Sequence, residues 1–249
     1  MPITPGEKHI MQIDLSSIPL FSGKNITTPK LLPQQGYSNE NYSFKVDQKN
    51  YLLRKFKLQD RDRELEFSIQ SLVYNYGLAA EPLYLDLGKG FMVCDFLEGS
   101  HKNKLERADL ALLVKHLKIL HTLKIDSPVL DLESQFTLND ENVQEAFQLL
   151  HSFPKEIVLC HNDLNPKNCI FTQSELKFID WEFASMNDLY FDLAAVCVEF
   201  DLSQNDTEIF LNAYFGEKKW HQEKLDAYKS VYRELCKQWF NEQALFPSS

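Results

Sequence analysis

The pattern of apolar residues changes character once, near Glu98-Gly99, and that change limits the folds open to the chain. Before it, short runs with β-character dominate: Ile26–Leu32, Asn41–Val46, Tyr51–Lys57, Pro82–Leu85 and Phe91–Phe96. One helical stretch, Arg61–Tyr76, interrupts them, with Leu65, Ile69, Leu72 and Val73 on one stripe and Gly77 placed to end it. Pro29 makes the first run an edge strand at best, because proline cannot donate to a ladder. Asp47–Asn50 reads as a tight hairpin connection, and Pro33–Glu40 as a polar turn. After residue 99 helical spacing takes over, at Arg107–Leu123, Asn142–Ser152, Asp188–Phe200, Asp206–Phe215 and Gln222–Trp239. Short strands are expected only at Ile157–Leu159, Cys169–Thr172 and Leu176–Ile179. The expected class is α+β in two lobes: a small β-rich one over residues 1–98 and a larger, mainly helical one over 99–249. Residues 1–25 carry three prolines and read as an irregular lead-in.

Charge narrows the function classes. The formal net charge of −10 argues against a nucleic-acid backbone as the main partner. It favours a cationic small molecule, and it requires local positive charge wherever a phosphate is to bind. The five cysteines are scattered without CxxC spacing and read as free thiols of a reducing compartment. The first residues lack a basic stretch followed by an apolar one, and no run reaches the ~18 apolar residues of a membrane span. Cytoplasmic location without membrane insertion is the expectation.

The chemistry concentrates in Leu159-Cys-His-Asn-Asp-Leu-Asn-Pro-Lys-Asn168. Asp163 and Asn168 stand five residues apart on a polar loop, and an apolar strand-like run leads from there to a second acid, Asp180. An Asp in such a setting can accept the proton of an attacking hydroxyl, while an amide oxygen and a carboxylate suit a hard cation such as Mg²⁺. His161 is better placed to orient the loop than to move protons. These are the groups that phosphoryl transfer from Mg-ATP needs.

His161-x-Asp163-x₄-Asn168, followed by Ile179-Asp-Trp-Glu182, resembles the aminoglycoside phosphotransferase and choline kinase-like superfamily. Within it, His-Asn-Asp-Leu and Ile-Asp-Trp-Glu look most like bacterial choline kinases and thiamine kinases. The resemblance covers the chain from about residue 30 onwards. It implies a bilobal protein kinase-like fold, ATP and Mg²⁺ as cofactors, Asp163 as catalytic base, and Asn168 and Asp180 as metal ligands. Asp-Trp-Glu stands where a protein kinase has Asp-Phe-Gly, which disfavours a protein substrate.

The same resemblance distributes the remaining roles. Gly36-Tyr-Ser38 lies where a phosphate-covering turn belongs, with one glycine rather than three. Arg54 takes the place of the phosphate-binding lysine; Lys55, next to it, faces the other side of the strand. Glu66 fits the helix position that holds this cation, with Glu64 as competitor. Nucleotide is expected in the cleft between lobes. Asp95 to Leu97 would meet the adenine edge, and Met92, Val93 and Ile179 are candidates for its walls. Asp192 corresponds to an Asp that bonds back to the catalytic loop, and Glu199, seven residues on, to an acid near the acceptor. Trp181, Glu182, Tyr232 and Trp239 complete the candidate substrate side, with Tyr190 and Tyr228 nearby; aromatic faces are what recognise a quaternary ammonium. The same stripe of Tyr228, Tyr232 and Leu235 is also the pattern of a core helix. Choline is the expected acceptor, with thiamine or an aminoglycoside as alternatives. A nucleotide-binding pseudokinase is the rival from another class, and the complete Asp163, Asn168 and Asp180 set speaks against it.

Overall fold

Strand alternation between residues 39 and 56 sets up the first half of the molecule. A computed structural model describes residues 13–58, 60–136, 141–172 and 174–245, without the side chains of 242–245. The chain divides into two units, residues 1–98 and 99–249. In the first, the elements run β1 (Lys30–Leu31), β2 (Asn39–Val46), β3 (Lys49–Phe56), α1 (Arg63–Tyr74), β4 (Pro82–Asp86) and β5 (Phe91–Asp95). They make one antiparallel sheet in the order β1-β2-β3-β5-β4. β1 is the edge that Pro29 requires, and it is shorter than its apolar run: Ile26 contributes a single bridge to Val46. The β2–β3 hairpin is tighter than expected, closing over Asp47 and Gln48 with Asp47 at φ 55°. Asp tolerates this left-handed conformation better than most residues.

Tyr42, Phe44, Val46, Tyr51, Leu53, Phe91 and Val93 share one face of this sheet. That face is covered by Leu15, Ile18 and Phe21, which come from two 3₁₀ turns, Leu15–Ser17 and Pro19–Phe21. Phe21 has no exposed surface and meets Phe44 and Tyr51 edge-on, at centroid distances of 5.7 and 5.0 Å. Residues 15–21 are therefore part of the core rather than a lead-in. Phe56, Met92 and Cys94 point the opposite way, towards Phe67 of α1. Asp62 caps α1 by accepting the Leu65 N–H at 2.9 Å. The helix ends in a Schellman motif: Gly77, at φ 76°, donates to Tyr74 O at 2.8 Å, and Leu78 donates to Val73 O at 3.0 Å.

The second unit comprises α2 (Arg107–Leu120), α3 (Glu141–Leu150), β6 (Ile157–Cys160), β7 (Cys169–Phe171), β8 (Leu176–Phe178), β9 (Ser185–Asp188), α4 (Leu189–Glu199), α5 (Gln204–Phe215) and α6 (Gln222–Leu245). At its start Gly99 lies so close to β7 that a Cβ would stand 2.7 Å from Phe171 O. β7 pairs with β8, and β6 pairs with β9 from Ile157↔Asp188 to Cys160↔Ser185. β9 was not expected, since Ser-Met-Asn-Asp has neither an apolar run nor alternation. α4 is buried from Leu189 to Cys197, so it runs through the core and packs on α6. Between these helices Phe191 meets Tyr228 and Tyr232 edge-on.

A lysine holds this helical core in place. Lys224 is 1% exposed, pairs with Asp188 at 2.8 Å, donates to Pro154 O at 2.9 Å and lies 4.4 Å from the centre of the Tyr190 ring. Asp188 also caps α4 through the Tyr190 N–H at 3.0 Å. A buried charge of this kind survives only when paired and hydrogen-bonded. All five cysteines are free thiols. No described helix is long and apolar enough to cross a membrane.

Candidate active site

The loop between β6 and β7 is built from its hydrogen bonds outwards. Asp192 of α4 has no exposed surface and accepts the His161 N–H at 2.8 Å and the Asn162 N–H at 2.9 Å. It also accepts from His121 Nε2 at 3.2 Å, while His121 Nδ1 meets the Tyr214 hydroxyl at 2.6 Å. The core helix thus clamps the start of the loop. His161 is fully buried, with Nε2 donating to Ile179 O at 3.0 Å and Nδ1 accepting the Asp163 N–H at 3.3 Å. Burial lowers its pKa, so it stays neutral and joins the loop to the strand end that precedes Asp180.

Asp163 emerges from this frame partly exposed. Asn165 Nδ2 donates to its Oδ1 at 3.0 Å, and Asn168 Nδ2 to its Oδ2 at 2.7 Å and to its backbone O at 2.9 Å. Burial, and next the charge of Asp180, push the Asp163 carboxyl up to about 7; Glu199 adds to the rise, and the two asparagine bonds oppose it. Asp163 therefore feels the negative charge of two further acids, Asp180 and Glu199. The donor chemistry fits Mg²⁺: with Nδ2 committed to Asp163, a metal contact by Asn168 would fall to its Oδ1, and a second would come from the Asp180 carboxylate. Pro166 opens the 3₁₀ turn Pro166–Asn168, and Asn165 caps it by accepting the Lys167 and Asn168 amides.

Glu199, at the end of α4, is half-buried. Burial raises its pKa, against the Tyr232 hydroxyl, which donates to it at 3.1 Å, and the charge of Lys167. The aromatic candidates divide differently from expectation. Trp181 is 1% exposed, donates from Nε1 to Phe178 O at 3.3 Å and packs 4.6 Å from the His161 ring. It supports the loop and offers no open face to a ligand. Tyr228 and Tyr232 are buried against Phe191, so the core-helix pattern prevails, and Tyr232 reaches the site through its hydroxyl. Tyr190 is likewise buried, under Lys224. Glu182 and Trp239 are half-buried. Trp239 lies beside Phe240, with ring centroids 5.2 Å apart.

In the first unit Arg54, Glu66 and Asn39 come together. Arg54 is 6% exposed and its Nη1 meets Glu66 Oε1 at 2.6 Å. Arg63 Nη1 takes the other oxygen, Oε2, at 2.6 Å, while its guanidinium lies over the Phe56 ring at 4.3 Å. Burial alone would raise the Glu66 carboxyl; the two guanidiniums outweigh it and hold the pKa below the usual range. Glu64 is exposed, so Glu66 is the partner of Arg54. Arg63 and Asn39 were not foreseen. In the amide orientation that satisfies both its ends, Asn39 donates to Ser38 O at 3.1 Å and accepts from Arg54 Nη2 at 2.9 Å.

Ser38 is buried, and Lys57 holds the adjoining turn by donating to Gly36 O at 2.9 Å. A Cβ at Gly36 would find its nearest neighbour 3.9 Å away, so the turn does not require glycine there. The Asp95 amide is committed to Glu81 O at 2.9 Å, and its carboxylate pairs with Lys49 at 2.7 Å. Leu97, beyond the end of β5, is half-buried. Val93 belongs to the core under Phe21 and Met92 to the opposite face, so these two cannot flank one ring.

A small antiparallel sheet with one helix, followed by a helical unit carrying an Asp/Asn loop and a second Asp, is the protein kinase-like fold. The chain belongs to the phosphotransferase enzyme family, whose model matches residues 31–228. It is similar to protein LicA of Haemophilus influenzae, with 28% identity over 214 residues, 75% of this chain and 63% of that relative's length. Among solved structures it resembles a choline/ethanolamine kinase family protein from Mesorhizobium loti, with a TM-score of 0.74 and 21% identity, over 94% of this chain and 86% of the other. It also resembles choline kinase LicA from Streptococcus pneumoniae, with a TM-score of 0.71 and 22% identity, over 88% and 87% of the two chains.

Proposed function

We propose that the protein transfers the γ-phosphoryl group of ATP to the hydroxyl of a small cationic alcohol, with choline as the leading acceptor. The observation that carries this is Asp163, a carboxylate held by two asparagines with its pKa lifted towards neutrality beside Asp180. In this reading the acceptor hydroxyl oxygen attacks the γ-phosphorus, its proton passes to an Asp163 carboxylate oxygen, and the bond to the ADP oxygen breaks. Mg²⁺, bound by Asn168 Oδ1 and Asp180, would offset phosphate charge and lower the opposition to an ionised Asp163. Arg54, steadied by Glu66 and Asn39, would hold the α- and β-phosphates, with the turn at Gly36 and Ser38 beside them. Since the Asp95 amide is already bonded, adenine pairing would fall to the rest of the stretch through Leu97.

The acceptor side rests on Glu199. A half-buried carboxylate whose charge reaches Asp163 suits a cationic head group, and Tyr232 fixes its orientation. Trp239 and Glu182 are the further candidates for contacts there. The names of the relatives also point to choline, with ethanolamine as the closest rival. Thiamine and aminoglycosides share the positive charge and remain the alternatives.

An ADP-release assay with Mg-ATP against choline, ethanolamine, thiamine, hydroxyl-bearing amino acids and aminoglycosides tests the assignment. Choline-stimulated turnover is expected, and Asp163→Ala should lower kcat by roughly 10²–10⁴ while ATP still binds. Wild-type turnover in that variant would remove Asp163 as the base. No stimulation by any acceptor would favour the pseudokinase.

A further inference from the structure

Four described non-glycine residues have left-handed backbone, and two of them lie in this site: Asn162 at φ 65° and Asp180 at φ 66°. Such conformations cost free energy and persist where the surroundings enforce them. The enforcement here is visible. The stretch that carries Asp180 is tied to the catalytic loop on both sides. Before Asp180, the Ile179 N–H donates to Asn168 O and His161 Nε2 donates to Ile179 O, both at 3.0 Å. After it, Asn162 Nδ2 donates to Phe183 O at 2.9 Å and to Ser185 Oγ at 2.8 Å. Asn187 Nδ2 returns a bond to Asn162 Oδ1 at 2.9 Å. The turn between these ties is closed by Ala184 N–H on Trp181 O at 3.0 Å. Asn162 is itself anchored, since its N–H bonds Asp192 and it is 7% exposed.

We propose that Asn162 is a positioning residue for the metal ligand. Through Phe183, Ser185 and Asn187 it fixes the far end of the span bearing Asp180, and so sets where that carboxylate stands relative to Asn168 and Asp163. This rests on Asp180 being a metal ligand. Asparagine suits the task because its amide both donates and accepts, and because it tolerates positive φ. Glycine would keep the backbone conformation and lose all three side-chain bonds. Alanine would lose the bonds and add strain.

The test uses the full chain with Asn162→Gly. Mn²⁺ binding is read by electron paramagnetic resonance with a non-hydrolysable ATP analogue and no acceptor, alongside thermal unfolding and analogue binding in EDTA. Removing a group that orients a metal ligand should weaken Mn²⁺ binding by about 10-fold or more. Analogue affinity in EDTA should stay at the wild-type value. A folded Asn162→Gly with wild-type Mn²⁺ affinity would overturn the proposal, as would a loss of thermal stability with no change in metal binding. Asp180→Asn run in parallel separates the two levels. If it abolishes Mn²⁺ binding while Asn162→Gly does not, positioning by Asn162 fails alone. If it too leaves Mn²⁺ affinity unchanged, the metal reading and the positioning fall together. Should Asn162→Gly not fold, Ser185→Ala removes one of the three bonds and is expected to weaken Mn²⁺ by a smaller factor; an unchanged affinity there would overturn the proposal.

Discussion

Without a divalent cation, the Asp163 carboxylate opposes the fold once it ionises. Burial first, and then Asp180 and Glu199, lift its pKa from 3.8 to about 7. From pH 5 to 7 the unfolded chain has already released this proton while the native protein keeps it. Native stability therefore falls as pH rises through that window and levels off above about 7. At about 1.4 kcal/mol per pH unit, the ceiling between pH 5 and 8 is ~3 kcal/mol. Asp163 is partly exposed, and solvent screening brings the expectation down to about 1–2 kcal/mol. Asp163→Asn removes the titration. It also sets an amide NH₂ against Asn168 Nδ2 in place of an acceptor, at a cost of about 1–3 kcal/mol that does not vary with pH. The stability difference between variant and wild type should thus shift by about 1–2 kcal/mol in favour of the variant between pH 5 and 8. Urea unfolding in EDTA, followed by tryptophan fluorescence, reads the relevant half, because Trp181, Trp220 and Trp239 all lie in the second unit. A difference that stays constant from pH 5 to 8 would show that Asp163 titrates as an ordinary carboxylate, and the argument from burial and neighbouring charge would be refuted.

Glu66→Gln leaves Arg54 and Arg63 sharing a neutral partner in a buried place and should cost about 3–5 kcal/mol, with a raised KM for ATP; Glu64→Gln should stay within about 0.5 kcal/mol. Equal ATP kinetics in the two variants would contradict the pairing. Phe21→Ala should destabilise the first unit by about 3–5 kcal/mol, seen as faster amide exchange across β2 and β3, whereas an exposed neighbour such as Leu20→Ala should change little. Lys224→Met strands Asp188 among buried groups and should cost about 3–5 kcal/mol in urea unfolding; a neutral result would mean the pair is dispensable to α4.

The sheet was legible because strand alternation and Pro29 act locally. Tyr42, Phe44, Val46, Tyr51 and Leu53 alternate as a half-buried surface must, and the differences lie in the bounds: β1 is shorter, β2 begins at Asn39 inside the expected turn, the hairpin loop is tighter, and β3, β4 and β5 end one residue from expectation. What covers that surface was not legible. Leu15, Ile18 and Phe21 sit at no helical or strand period, and their burial follows from the sheet they land on. β9 escaped for a related reason. Ser185-Met-Asn-Asp188 is a strand because β6 pairs with it and Asn162 and Lys224 hold its polar side chains, and such partners leave no mark in local composition.

The site divides along the same line. The residues proposed for the chemistry, Asp163, Asn168 and Asp180, stand out because they match a motif of fixed spacing, His161-x-Asp163-x₄-Asn168 followed by Ile179-Asp-Trp-Glu182. Residues that hold them read as ordinary: Trp181 resembles a ligand-facing aromatic until its ring is found against His161, and Asn162 resembles turn filler until its amide is followed to β9. Glu66 shows how close the margin is. Glu64 and Glu66 are both acids in the first turn of α1, and their spacing in a helix separates their directions by about 200°. Only the Glu66 direction meets β3, where alternation has turned Arg54 towards the helix. Two periodicities, one of strand and one of helix, must therefore intersect before the buried ion pair exists. Neither periodicity alone could have chosen between the two acids.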